Sequence, residues 1–255
     1  MTWKVVAASV IGADHVRAAM PNQDAARVQI VAHPDGERLV VAVADGAGSA
    51  RHAEVGARLA CETAVAWLAS EVMIVDDATL GGRLVAAVQA AIAEAAATSG
   101  TTPRDHACTL LAAVVAPDWA AFVHVGDGGI VIAEPTSGSF GWIFWPDKGE
   151  HANETSFVTG ASAASDLAVA WRRGAVDEVA LFSDGLERLA LDFQAKTAHP
   201  SFFGPMFAAV RALPAGDEGE RLAAERDLAG FLGSARVNER TSDDKTLVLA
   251  TRRGP

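Results

Sequence analysis

The spacing of apolar and polar positions divides the chain into two kinds of segment. Short apolar runs such as Val40-Val41-Ala42-Val43-Ala44 and Val179-Ala180-Leu181-Phe182 are too brief for core helices and read as buried β-strands. By this criterion strands are expected at 3–10, 26–32, 39–44, 107–115, 119–125, 129–134, 178–182 and 245–251. A loop with Pro21 and Asn22-Gln23-Asp24 separates the first two, and Pro117-Asp118 makes a hairpin-like turn. A helical period takes over at Glu54–Ser70, where Val55, Leu59, Val65 and Leu68 form an apolar face, and at Leu80–Ala97, which Ser99-Gly100 and Pro103 terminate. Helices are also expected at 202–212 and 217–233, with a helical turn within 185–192. Between 135 and 175 the pattern degrades, as Pro135, Gly138, Gly141, Pro146 and Gly149 alternate with aromatics. That stretch predicts irregular strands and an inserted flap packed by Trp142, Phe144 and Trp145. Strands in two groups around helices, without strict strand–helix alternation, favour an α+β layered sandwich over a parallel doubly wound sheet. Residues 1–255 read as a single domain with a full core.

Composition narrows the classes. The formal net charge is −11 and no basic block occurs, which argues against nucleic acid or an anionic membrane surface as the main partner. The first ten residues read as a strand and not as a signal peptide, and no apolar stretch is expected to reach bilayer-spanning length, so a cytoplasmic location is expected. Cys61 and Cys108 both sit in apolar runs. Neither is followed six residues later by the Arg that a thiol phosphatase needs, since position 67 is Trp and position 114 is Val. Both are therefore read as core residues.

The chemistry lies at the strand ends. Asp45-Gly46, Asp127-Gly128 and Asp184-Gly185 each follow an apolar strand, Asp243-Asp244 precedes one, and Asn22-Gln23-Asp24 sits in the first long loop. Any one Asp-Gly step is ordinary turn chemistry. Five such segments are better explained by one hard-cation site, because clustered carboxylates repel one another unless a cation neutralises them. Oxygen donors, without a thiolate cluster or a helically spaced His pair, fit Mg²⁺ or Mn²⁺ and not Zn²⁺. Asp45, Asp184 and Asp243 are the expected direct ligands, with the Gly46 carbonyl as a further oxygen. If two ions shared Asp45, a water held by them would be acidified for in-line attack on phosphorus.

In order along the chain, Pro21-Asn22-Gln23-Asp24, Val43-Ala44-Asp45-Gly46, Cys108-Thr109-Leu110-Leu111-Ala112-Ala113-Val114, Val125-Gly126-Asp127, Phe182-Ser183-Asp184-Gly185 and Asp243-Asp244-Lys245-Thr246 resemble the metal-dependent, type-2C serine/threonine protein phosphatases in their compact bacterial form. The resemblance implies a four-layer αββα sandwich with two antiparallel sheets, a binuclear Mn²⁺ or Mg²⁺ centre, and hydrolysis of phosphoserine and phosphothreonine in proteins, which a serine/threonine kinase would supply. Carried over by position, Asp45 bridges two ions, Asp184 and Asp243 complete the first, Gly46 offers its carbonyl to the second, and Asp24 belongs to the catalytic set. Asp127 and Asp184 fall where bacterial members hold a third, weaker ion.

Three departures stand out. Gln23-Asp24 replaces the usual Glu-Asp, removing one charge near the second ion. Ala19 stands where the phosphate-holding Arg is usual, which leaves Arg17 as its nearest substitute or as a solvated surface residue. Gly128-Gly129 replaces a Ser-Arg pair after the third-site Asp. His15 is either a general acid for the leaving alkoxide or a structural loop residue, and His52 either orients a metal-held water or caps the following helix. His124, alternating with Val123 and Val125, is expected to face away from the core. The alternatives to an active protein phosphatase are a regulatory pseudophosphatase that binds phosphoproteins and an esterase for small phosphates.

Overall fold

The computed structural model describes residues 2–71, 75–133, 139–145 and 155–254. In chain order, β1 (Lys4–Val10), α1 (Ala13–Ala18), β2 (Asp24–Val31), β3 (Arg38–Asp45), α2 (Ala53–Ser70) and α3 (Leu80–Ser99) lead into β4 (Leu110–Val115), β5 (Trp119–Val125), β6 (Gly129–Ala133) and β7 (Phe140–Trp142). Then come β8 (Ala168–Arg173), β9 (Glu178–Phe182), α4 (Glu187–Ala190), β10 (Leu191–Asp192), β11 (Thr197–Ala198), α5 (Pro200–Ala212), α6 (Glu218–Leu232), α7 (Ala235–Asn238) and β12 (Lys245–Thr251). They form two compact units. The first comprises Met1–Asn22, Gly128–Trp145 and Val176–Pro255, and the second Gln23–Asp127 and Pro146–Ala175.

In the second unit β2-β3-β4-β5-β8 make a wholly antiparallel sheet. Alternation along β3 and β4 sends Val40, Ala42, Ala44, Leu110, Ala112 and Val114 into one core with α2 and α3. Ala57, Ala60, Cys61 and Ala64 on α2 are small, so the helix lies close over the sheet. Leu84, Val88 and Ile92 of α3 are fully buried in the same core, where truncation to Ala costs about 2–5 kcal/mol each. Among the described residues, α3 is the one helix that by length and composition would pass for a membrane-spanning helix, contrary to the expectation that no stretch would. Its Ala-rich sequence raises the mean hydropathy, and its large apolar side chains are spent on this core.

In the first unit the sheet runs β1-β12-β9-β6-β7, again wholly antiparallel. One face carries Val6, Phe182, Leu247 and Leu249 against Phe203 and Phe207 of α5 and Leu232 of α6. Phe203 lies 5.5 Å from Phe140 and 5.9 Å from Phe182, ring to ring.

The expected α+β class with two antiparallel sheets is what the structure shows. The 135–175 stretch is more regular than expected in its described parts, since it supplies β7 to one sheet and β8 to the other. Residues 134–138 and 146–154 lie outside the described residues. Trp142 and Trp145 do pack, edge to face with each other and Trp145 with Phe193, and the Trp142 indole donates to the Lys196 carbonyl.

Candidate metal centre

Asp45 ends β3, and Thr109 clamps it. Its N–H donates to the Thr109 hydroxyl (2.9 Å) and its carbonyl accepts the Thr109 N–H (2.8 Å). Gly46 is required next, because a Cβ there would lie 2.7 Å from the Ala53 backbone at the start of α2. Its N–H donates to the Gln23 carbonyl at 3.1 Å. Asp24 is not a loop residue as expected but opens β2, in register with Asp45. Asp127 follows β5 and accepts from the Thr155 hydroxyl at 2.9 Å. Within this unit, carboxylate oxygens of Asp45 and Asp127 lie within 4.8 Å of each other.

His124 shares the sheet face opposite the helix-packed core, as alternation requires, and it is buried there. Burial pushes its pKa down to about 4, against the pull of a hydrogen bond to the backbone of Asp127. The imidazole is thus a neutral brace for the turn that presents Asp127. His52 occupies the N-cap of α2 without a side-chain capping bond and stacks on His106 at 5.3 Å. Cys108 is held as a thiol, its pKa raised to about 12 by burial and then by the charge on Asp45. Cys61 is raised also, burial again leading. Burial thus favours the protonated thiol at both positions, which disfavours thiolate ligation and thiol catalysis.

In the first unit Asp184 follows β9 and is half-buried. Gly185 allows this turn to press against the β12 entry, since a Cβ would fall 2.0 Å from the Asp244 carbonyl oxygen. Asp243 is exposed, and its carboxylate accepts the Asp244 N–H at 2.9 Å. Asp244 is buried. One of its oxygens accepts the Gly12 N–H at 2.6 Å, and the other lies 2.8 Å from Nδ1 of His15. Asp14 adds an N–H donated to the Ser242 carbonyl (3.0 Å) and a carboxylate that accepts the Ser242 hydroxyl (2.6 Å). These four bonds bolt the single turn of α1 to the segment that carries Asp243.

His15 and Arg17 both ride on α1, which the sequence reading took for loop. His15 is nearly buried, whereas Arg17 is exposed and ion-paired with Asp14. The Asp14 pKa is lowered, chiefly by the Ser242 hydroxyl. Sequence reasoning also missed Asp244 as the partner of His15, and Lys245, whose fully buried ammonium donates to Asn238 (2.9 Å) and to the Asp243 carbonyl (3.1 Å). The doubled acid at 243–244 was the available signal: alternation into β12 places the two residues in different environments. The Gly128-Gly129 departure has a local use, since the Gly128 N–H donates to buried Glu187 at 3.0 Å.

The chain matches the family model for protein phosphatase 2C over residues 11–233. It is 38% identical to serine/threonine-protein phosphatase 3 of Escherichia coli (strain K12) over 255 residues, covering 98% of each chain. Its fold resembles the catalytic domain of the serine threonine protein phosphatase PstP in complex with two manganese ions, with a TM-score of 0.60, 24% identity, and coverage of 98% of this chain and 97% of that one. It also resembles the Staphylococcus aureus serine/threonine phosphatase Stp1, with a TM-score of 0.60, 14% identity, and coverage of 100% and 96%.

Proposed function

The chain belongs to the protein phosphatase 2C family, and from that membership we propose how its own residues divide the work. It is a metal-dependent serine/threonine protein phosphatase, acting on phosphoproteins. The reading proposed here is that two ions, Mn²⁺ or Mg²⁺, are held by Asp45 with the Gly46 carbonyl, Asp184 and Asp243, and that Asp127 with Asp184 serves a third, weaker site. In this reading the two units act together as one catalytic domain.

One observation carries the metal assignment. Asp24 and Asp45 are in register on one sheet face, and Asp127 brings a third carboxylate within 4.8 Å of Asp45. Such a concentration of anions, all hard oxygen donors, suits Mn²⁺ or Mg²⁺. When bound, such ions supply positive charge against the phosphoryl oxygens and lower the proton affinity of the attacking water. The protein's own tasks are orientation and proton handling. Asp244 fixes the His15 ring through Nδ1, which leaves Nε2 to pass a proton to the leaving seryl or threonyl oxygen. Arg17, carried on the same anchored turn, offers a guanidinium to the phosphate in exchange for its contact with Asp14.

Neither the carboxylate set nor the relatives favour a binding-only pseudophosphatase. Supply of the substrates by a serine/threonine kinase and a cytoplasmic setting belong to the same proposal, the latter supported by two buried cysteines kept as thiols. The test is phosphate release from a phosphothreonine peptide and from p-nitrophenyl phosphate after exhaustive chelation and manganese re-addition. Metal-restored turnover with the peptide preferred supports the reading. Restored turnover of the small ester alone would replace it with a small-phosphate esterase, and binding of the peptide without turnover would make the protein a pseudophosphatase.

A further inference from the structure

On the helix side of the first unit's sheet, α5, α6 and α7 leave a cavity of about 670 Å³ that the phosphatase chemistry does not use. Its wall is apolar, formed by Phe202, Met206, Val210, Leu228 and Phe231. Phe231, whose ring lies 6.4 Å from that of Phe202, remains 38% exposed and gives the wall an apolar lip open to solvent. Around this wall stand three cations, Arg188 of α4, Arg236 of α7 and Arg240 just beyond it. All three are exposed, and among the described residues none of them is in an ion pair. Asp227 is the one acid among the lining residues.

This arrangement concentrates positive charge in an acidic chain. The net charge is −11, and about half of the described arginines are in ion pairs, Arg83, Arg221, Arg252 and Arg253 among them. Three unpaired guanidiniums beside one apolar cavity are a local excess of positive charge that serves no ion pair of the fold. The volume lies within the range of small-molecule pockets, roughly 300–1,000 Å³, which combine an apolar lining with a few placed polar groups. Guanidinium groups are the side chains best suited to grip a carboxylate through paired N–H donors.

We propose that this cavity binds a fatty carboxylate, with the alkyl chain along the Phe202–Phe231 wall and the head group met by Arg188, Arg236 and Arg240. Charge complementarity selects this occupant. A neutral apolar ligand would leave the three cations unanswered, and an aliphatic cation would be repelled by them.

Calorimetric titration of the full chain with decanoate, below its micellar concentration, tests the proposal, with decanol and decyltrimethylammonium as matched probes. Decanoate is expected to saturate at one per chain and to bind about tenfold or more tightly than either control, the return from a charge-assisted contact. The double variant Arg236→Glu/Arg240→Glu should lose that advantage while keeping its circular dichroism spectrum and its phosphatase activity, because both side chains are exposed. Arg188→Glu, on a different element, should weaken decanoate separately. Ala209→Trp, which fills the cavity, should abolish binding of every probe. Equal affinity for the anionic and cationic probes, undiminished binding in both charge variants, or no saturable binding would overturn the proposal.

Discussion

Asp24 and Asp45 stand directly opposite each other on neighbouring antiparallel strands, with their side chains on the same face of the sheet. Because the Gly46 N–H donates to the Gln23 carbonyl, the two form a non-hydrogen-bonded pair, the kind whose side chains approach more closely. Like charges so placed destabilise a sheet, and Asp24 is only 9% exposed, so water screens the repulsion poorly. The register sets up the repulsion that a divalent cation would relieve.

Substitution of Asp45 by Asn should therefore separate stability from function. With chelator present, the variant is expected to melt no lower than wild type, since it relieves a cross-strand repulsion worth about 0.2–1 kcal/mol. With manganese, the variant should lose most of its phosphopeptide turnover and most of the ligand-induced rise in melting temperature. Scanning calorimetry with and without manganese is the check, and a variant that manganese stabilises as fully as wild type would remove Asp45 from the ligand set.

The His15–Asp244 pair predicts a dependence on the leaving group. Loss of a general acid slows departure of a poor leaving group by about two to four powers of ten and matters little for a good one. His15→Gln and Asp244→Asn should each lower kcat on a phosphothreonine peptide by about that amount while leaving p-nitrophenyl phosphate hydrolysis within a few-fold. Equal losses on both substrates would show that the pair is structural and anchors α1.

Asp184→Ala and Asp243→Ala each delete one charged oxygen donor. Both variants should need more manganese for half-maximal activity, because affinity in carboxylate sites follows the count of charged ligands. Unchanged activation curves in both would assign these residues to the turns they occupy.

The strands and long helices were legible in the sequence because their side chains obey simple periods. β12 and β5 fall where the apolar runs predict them, and α2 and α3 lie within a residue or two of expectation. The single turn of α1 escaped because Ala13–Ala18 buries no side chain, so it leaves no apolar stripe. β8 escaped for a related reason: as an edge strand ending in Arg172-Arg173 it is only half-buried, and the period-two signal fades. The face that His124 takes was legible, whereas its burial was not, because alternation tells which face a residue takes and not what covers that face. For the site, the carboxylates could be read from strand ends, whereas the bonds Asp244 makes to Gly12 and His15 join residues more than two hundred positions apart.

Burial of His124 carries a pH signature. Its pKa is about 4 in the folded protein against 6.5 ordinarily, so below pH 6.5 the unfolded chain takes up a proton that the folded protein refuses. Stability should fall as pH drops through the window from 6.5 to 4 and should not depend on this residue above it. Urea unfolding of the chelated protein should lose about 2 kcal/mol between pH 7 and pH 5 from this group, and His124→Asn should show a shallower slope. Identical slopes in the two proteins would place the acid sensitivity elsewhere.

The central claim, that these carboxylates make a metal-dependent phosphatase, is tested most directly by calorimetric titration of the chelated protein with manganese, followed on the same samples by phosphate release from a phosphothreonine peptide. The account predicts two ions per chain in the wild type, turnover that rises as they bind, and both effects largely lost in Asp45→Asn. Full turnover after exhaustive chelation, or wild-type binding and turnover in Asp45→Asn, would contradict it.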